Sequence, residues 1–189
     1  MTAVWIAIGV AVFVALVVVL SYNRFVSQRQ LLDDSWATID TELQRRYDLV
    51  PNLVATVGGY ATHERQTLEA VAAARSHAAA EHGPPSVQAE AENLLVGWLR
   101  QLLVVVEDYP DLKASTGFLD LQHQLVMTED RIQAARRIYN GNVRDLNRRV
   151  QQVPSNLVAK LFGFGIAEYF EVEPALRTSG APPVDLTRP

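Results

Sequence analysis

The chain of 189 residues has no cysteine. That absence excludes a disulfide scaffold, thiolate zinc sites, iron–sulfur clusters and a cysteine nucleophile. An excess of positive charge is also missing: 17 Lys and Arg stand against 21 Asp and Glu, a net −4. A broadly basic nucleic-acid binder is thereby excluded, and no nucleic-acid partner is expected. After residue 20 there are no alternating β-branched runs bounded by turn residues, so nothing there competes with helix. Finally, no charge occurs between Ala3 and Leu20.

That uncharged run, AVWIAIGVAVFVALVVVL, would be about 27 Å long as a helix at 1.5 Å per residue, close to the thickness of a hydrocarbon core. A cleaved signal peptide needs Lys or Arg ahead of the run and small residues at a cleavage site, and neither is present. Trp5 and Tyr22 stand where amphipathic rings favour the two membrane interfaces. Residues 1–22 are therefore expected to be an uncleaved single-span anchor. Arg24 and Arg29 follow the run and only the α-amino group precedes it, which places the N-terminus outside and the remainder in the cytoplasm.

From Phe25 the apolar positions step by three and four through Leu32, Trp36, Ile39, Leu43 and Val50, the narrow seam of a bundle helix. Pro51 lacks an amide proton and either starts a second helix or kinks the first. A second series runs through Leu53, Val57, Tyr60, Leu68 and Val71 to Ala80, weakened at Gly58-Gly59. His82-Gly83-Pro84-Pro85 breaks it, and Ser86 suits the N-cap of a third helix with Val87, Leu94, Trp98, Leu102 and Val105 on its seam, ending at Tyr109-Pro110. In the last helix Phe118, Leu125, Ile132, Tyr139, Leu146 and Val153 recur every seventh residue, with Leu121, Ala135, Val143 and Val150 filling the same coiled-coil-like face. These stripes read as bundle core rather than as a cofactor pocket. The expected fold is all-α: a transmembrane helix continuing into a long up-and-down four-helix bundle over residues 23–172, a short C-terminal apolar helical segment, and a disordered, proline-rich tail over residues 173–189.

Helices joined by short loops run antiparallel, so four of them return the chain to the membrane. The apolar segment from Val153 to Phe164, with Ile166, Tyr169 and Phe170 beyond it, should then lie beside the bilayer, either in the interface or docked on the bundle. The same parity gathers Arg24, Arg29, Arg144, Arg148 and Arg149 near the membrane and Glu107, Asp108, Asp111 and Asp120 at the far turn. A basic collar on an anionic leaflet is one reading, and a solvated Arg face with Glu129 and Asp130 as local partners is the other.

Several blocks are collinear with those of a known family. Tyr22-Asn23-Arg24-Phe25-Val26, Arg45-Arg46-Tyr47-Asp48-Leu49-Val50-Pro51-Asn52-Leu53-Val54 and Tyr60-Ala61-Thr62-His63-Glu64-Arg65-Gln66-Thr67-Leu68 open the series. Tyr109-Pro110-Asp111-Leu112-Lys113-Ala114, Thr128-Glu129-Asp130-Arg131-Ile132, Ala135-Arg136-Arg137-Ile138-Tyr139-Asn140, Pro154-Ser155-Asn156-Leu157-Val158-Ala159 and Phe162-Gly163-Phe164 complete it. Over residues 20–172 the chain resembles the LemA family. The resemblance implies a bacterial membrane-anchored protein with an N-terminal span and a long helical bundle, and it implies no enzymatic activity and no cofactor. Leu146 in place of an aromatic residue and Gly165-Ile166 in place of a Lys-Pro pair depart from the family pattern, the second removing a cation from the membrane-proximal segment.

Metal sites in bundles need two Glu-x-x-His motifs and two more Glu, and only Asp120-Leu121-Gln122-His123 has that spacing. His63-Glu64 begins like a zincin helix, but Thr67 stands where the second His belongs. His77 pairs with Glu81 at a surface spacing, and His82 falls in the turn. Gly163-Phe164-Gly165 follows no strand and precedes no Lys-Ser/Thr, so it is not a phosphate cradle, and no Gly-x-Ser-x-Gly elbow exists. No catalytic, cofactor or metal residues are assigned.

Arg45, Arg46, Tyr47, Asp48, Pro51 and Asn52 form a candidate interaction site or a structural junction. Adjacent guanidinium groups at a helix junction suit an anion or a peptide, whereas a staple would join Arg46 to Asp48 and Asn52 to backbone. Arg136, Arg137, Tyr139 and Asn140 pose the same alternatives. Pro154, Ser155, Asn156, Leu157, Phe162 and Phe164 are the candidate contact residues of the C-terminal segment. The expectation is a non-enzymatic single-pass protein of the bacterial inner membrane, its bundle cytoplasmic, acting as a scaffold or interaction module for envelope or membrane proteins, with homo-oligomers open to it. The alternative is a lipid-surface binder acting through residues 153–170, with Leu157, Phe162, Phe164 and Phe170 as its contacts.

Overall fold

The computed structural model of the chain describes residues 1–61, 63–173 and 175. The chain is all-α, with no strand among the described residues. Its elements are α1 Thr2–Gly58, α2 Arg65–Ala80, α3 Pro85–Val106, α4 Pro110–Lys113, α5 Thr116–Gln151 and α6 Ser155–Phe162. The apolar run is the first part of α1, a helix of 57 residues that is long and apolar enough to cross a membrane and continues into the bundle seam without an intervening loop. Of the proline-rich tail, Glu173 and Ala175 are hydrogen-bonded, and Pro174 and residues 176–189 lie outside the described residues.

Pro51 lies inside α1 and does not open a second helix. Its ring nitrogen cannot donate to the carbonyl four residues back, that of Tyr47. The Arg75 Nε of α2 takes that place, donating to the Tyr47 carbonyl at 3.0 Å. Leu53 and Val57 are therefore buried as the last seam positions of α1, and the expected second series divides. The helix ends at Gly58, Tyr60 is exposed in the turn, and α2 begins only at Arg65. Pro85 takes the first position of α3, where a missing amide proton costs nothing, so Ser86 sits inside the first turn and does not cap it.

The burial of α3 departs from expectation in phase. Leu102 is buried as expected, but its buried companions are Leu95, Leu99 and Val106, while Val87 is 41% exposed and Leu94 49% exposed. The helix is apolar on more than half its circumference, so periodicity could not choose between two stripes. On α5 the heptad series holds: Phe118, Leu125, Ile132, Tyr139 and Leu146 are buried, as are Ala135 and Val143. Val153 is 74% exposed, because α5 stops at Gln151 and that residue never occupies a helical position.

The chain forms two compact units. The first, Met1–Asp40 with Ala134–Phe170, is centred on buried Phe25, Leu146, Val158 and Ala159, with Val18, Leu32, Val150, Phe164 and Ala167 packed against them. Trp36 packs there on Tyr139 and Phe170, each at a ring separation of 5.2 Å. The second unit, Thr41–Gln133 with Glu171–Pro189, buries Leu43, Val50, Val71, Leu95, Leu99, Leu112, Phe118 and Leu125 around an ionic cluster.

Candidate functional site

In the first unit α6 is seated beside the C-terminal end of the apolar run of α1. Its inward face is Val158 and Ala159, which meet Phe25 and Leu146, and the same cluster touches Val18, a residue of the apolar run. The Phe162 ring lies 4.8 Å from Tyr22, and Phe164 lies 5.7 Å from Tyr22 and stacks on Phe25 at 4.7 Å. Gly163 ends α6 at φ +74°, a left-handed conformation that glycine adopts freely, and the Phe164 amide closes the turn by donating to the Ala159 carbonyl at 2.9 Å. The Ser155 hydroxyl donates toward the carbonyls of Arg149, in the last turn of α5, and of Gln152, just beyond it. Leu157 and Leu161, one turn apart, are 64% and 72% exposed. The segment thus docks on the helices with one face and leaves the other uncovered.

Arg24, Arg29, Arg144, Arg148 and Arg149 all belong to this unit. Partial burial and the nearby Arg24 charge hold the Arg149 guanidinium below its ordinary value, and it sits 5.9 Å from the centre of the Phe25 ring. A cleft of about 320 Å³ is lined by Arg29, Leu32, Asp33, Leu146, Phe164 and Ile166, among others.

Beyond α6 the chain is extended, and two asparagines of α5 hold it. Asn147 receives the Ala167 amide at 2.7 Å and donates back to the same residue's carbonyl at 2.9 Å. Asn140 does the same for Phe170, at 2.9 and 3.0 Å. The Tyr139 hydroxyl donates to the Glu168 carbonyl at 3.0 Å. Its burial first, then the Glu168 and Asp33 charges, push the Tyr139 hydroxyl up to about 12. In the second unit Asn93 accepts from the Glu173 amide at 2.9 Å and donates to the Glu171 carbonyl at 3.0 Å. Each asparagine amide imitates a neighbouring peptide group, so the segment is fixed through its backbone.

The second unit contains the most buried charge of the described chain. Arg46 has no exposure, and its guanidinium donates to Glu129 Oε1 at 2.7 Å and to Glu92, which is also fully buried. Tyr47 and Gln88 donate to the Glu92 carboxylate, and the Ala175 amide reaches Glu129 Oε2 at 3.3 Å. Desolvation pulls the Arg46 guanidinium down, but Glu129 and Glu92 outweigh it and hold it above its ordinary value. The expected staple from Arg46 to Asp48 is replaced by this cluster, and Asp48 accepts instead from Gln44 at 3.0 Å. Glu129, expected to be a surface partner, is 2% exposed for the same reason.

Among the junction residues, Arg46 and Tyr47 converge inward, whereas Arg45, Asp48, Pro51 and Asn52 are exposed. Arg45 borders a second cleft, of about 260 Å³, with His123, Met127 and Arg131. Pro154 and Leu157 are exposed, Ser155 and Asn156 half-buried. Phe170, expected among lipid contacts, is fully buried against Trp36 and unavailable to a membrane. Arg136 is half-buried and Arg137 exposed, while Tyr139 and Asn140 serve the extended segment. Among the described residues, no three His, Asp or Glu side chains converge as a metal site.

The model of the LemA family matches residues 35–185. The chain belongs to the LemA family. Among curated relatives, Magnetosome protein MamQ 2 of Paramagnetospirillum magneticum is 26% identical over 193 residues, covering 89% of this chain and 71% of that protein. Magnetosome protein MamQ of Magnetospirillum gryphiswaldense is 26% identical over 90% of this chain and 72% of its own length. Protein LemA of Metamycoplasma hominis is 25% identical over 80% of this chain and 70% of its own length. The first helix of this LemA-family chain is long and apolar enough to cross a membrane.

Proposed function

We propose that this LemA-family chain is a non-enzymatic, membrane-tethered interaction module, held by one span with its N-terminus outside and its helical units on the cytoplasmic face of the inner membrane, where it presents a surface to a helical segment of another membrane or envelope protein. The observation that carries the reading is the second apolar stripe of α3. Val87, Leu94, Trp98 and Val105 recur at steps of seven, four and seven, the spacing that takes a partner helix. Val87 and Leu94 are exposed and Trp98 and Val105 half-buried, while the neighbouring stripe of the same helix fills the core. Uncovered apolar stripes of this kind mark contact surfaces.

Two further features support it. The buried charged groups of the second unit, Arg46, Glu92 and Glu129, are consumed by one another within the core, together with Tyr47. Sequences similar along most of this chain also occur in relatives named for the magnetosome and in one named only for the family, as suits a part reused for attachment.

The test is photo-crosslinking in intact membranes from a benzoylphenylalanine placed at Leu94, with Glu69, whose side chain is 65% exposed, as the comparison position. A discrete crosslinked species from position 94 that is missing from position 69 supports the reading. Equal, unspecific crosslinking from both positions refutes it.

A further inference from the structure

The exposed face of α6 has a specific neighbour. Within the apolar run only Val17 and Val18 are partly covered, and Val18 is covered by the cluster that includes Val158 and Ala159 of α6. Two residues beyond the run, Tyr22 packs on Phe162. Whatever depth the end of the span occupies, α6 therefore occupies as well. Its outward residues Leu157 and Leu161, with Phe162 and Ile166, continue the uncovered surface of the span, whose medium is hydrocarbon. Charge agrees with this placement. Arg24, Lys160 and Arg148 are exposed around the same end, and Arg24 and Arg149 lie close enough to repel. A cluster of like charges at a membrane surface is relieved by anionic headgroups.

We propose that α6 is an interfacial helix that inserts its Leu157–Leu161 face into the leaflet at the C-terminal end of the span, with Arg24, Arg149 and Lys160 set among anionic lipid headgroups. The bilayer is then held at two points, by the span and by α6. This fixes the first unit against the membrane surface and prevents it from turning freely about the span. The inference needs the span in a membrane but not the α3 partner, so either can fail alone.

Because the chain has no cysteine, single cysteines carrying an environment-sensitive fluorophore can be placed at Leu157, Leu161 and Ile138 in the full-length protein. Ile138 is 61% exposed in the same unit; it lies about 12 Å down α5 from Leu146, at 1.5 Å per residue. The protein is reconstituted in vesicles of phosphatidylcholine with phosphatidylglycerol, where no protein partner is present. The labels at 157 and 161 should emit to the blue, be quenched by spin-labelled acyl chains, and resist aqueous iodide several-fold better than the label at 138. Iodide quenching at 157 and 161 as strong as at 138 overturns the proposal. Because an apolar label could insert by itself, Leu161→Asp is combined with the label at 157. Residue 161 is 72% exposed, so the fold keeps its core, and the label should lose its protection. Unchanged protection at 157 in that variant overturns the role of this face. Identical behaviour in phosphatidylcholine alone overturns the role of the anionic headgroups.

Discussion

A guanidinium removed from water is stable only when opposite charge and hydrogen-bond acceptors surround it, and Arg46 has both in Glu92 and Glu129. Two of these three charges, Arg46 and Glu129, stand on seams that the sequence shows. Arg46 continues the step from Ile39 and Leu43 to Val50, and Glu129 falls between Leu125 and Ile132. Charged residues on a seam must find partners across it. Which partner each one takes depends on the packing of helices far apart in sequence, so the nearby Asp48 was the wrong choice. Arg46→Ala leaves two buried carboxylates without their cation and should cost about 3–5 kcal/mol in chemical denaturation; a loss below about 1 kcal/mol would contradict the cluster's role. Tyr139 gives a pH test. Its hydroxyl is raised to about 12 in the folded state, against about 10 for an exposed tyrosine. The neutral form is favoured by folding, so this contribution is fully present below pH 10 and is lost as pH rises through 12. Tyr139→Phe should flatten the alkaline end of the stability profile, and an unchanged profile would show that another group sets it.

At the scale of elements, the helices and the repeat of α5 could be read directly, because a heptad sustained along one face admits one phase. The phase of α3 could not, since its apolar residues exceed one stripe and only the packed structure decides which of them is inside. The continuation of α1 through Pro51 was equally hidden, because it depends on Arg75, a residue of another helix. A double-mutant cycle measures that dependence. Arg75→Ala should destabilise the protein by about 1–3 kcal/mol, the cost of a buried acceptor left unmade. In a Pro51→Ala background, where residue 51 regains an amide proton for the Tyr47 carbonyl, the loss should shrink clearly. Additive effects would show that Arg75 does not act on that carbonyl. The extended segment after α6 left a fainter trace. Asn140 and Asn147 are poor helix formers one heptad apart, each beside a seam residue, and their use becomes visible only once the chain they hold is in place.

For the molecule as a whole, the long apolar helix and the family followed from sequence because both are carried by contiguous residues. The parity of the helices also correctly brought Phe162 to Tyr22. The candidate contact residues were less legible: Phe170 and Tyr47 belong to the core, while Leu161 and, on α3, Val87 and Leu94 carry open surface. Apolarity alone does not distinguish a residue that builds a core from one that awaits a partner. The most direct test of the account is therefore the coverage of that stripe in its native setting. A single cysteine at Leu94, in a chain otherwise free of cysteine, is treated with a membrane-impermeant maleimide in inside-out vesicles and again after purification in mild detergent, with a cysteine at Glu69 as the reference. The account predicts that position 69 labels readily in both, whereas position 94 is shielded in vesicles and opens on purification. Labelling of position 94 as fast in vesicles as in detergent would contradict it.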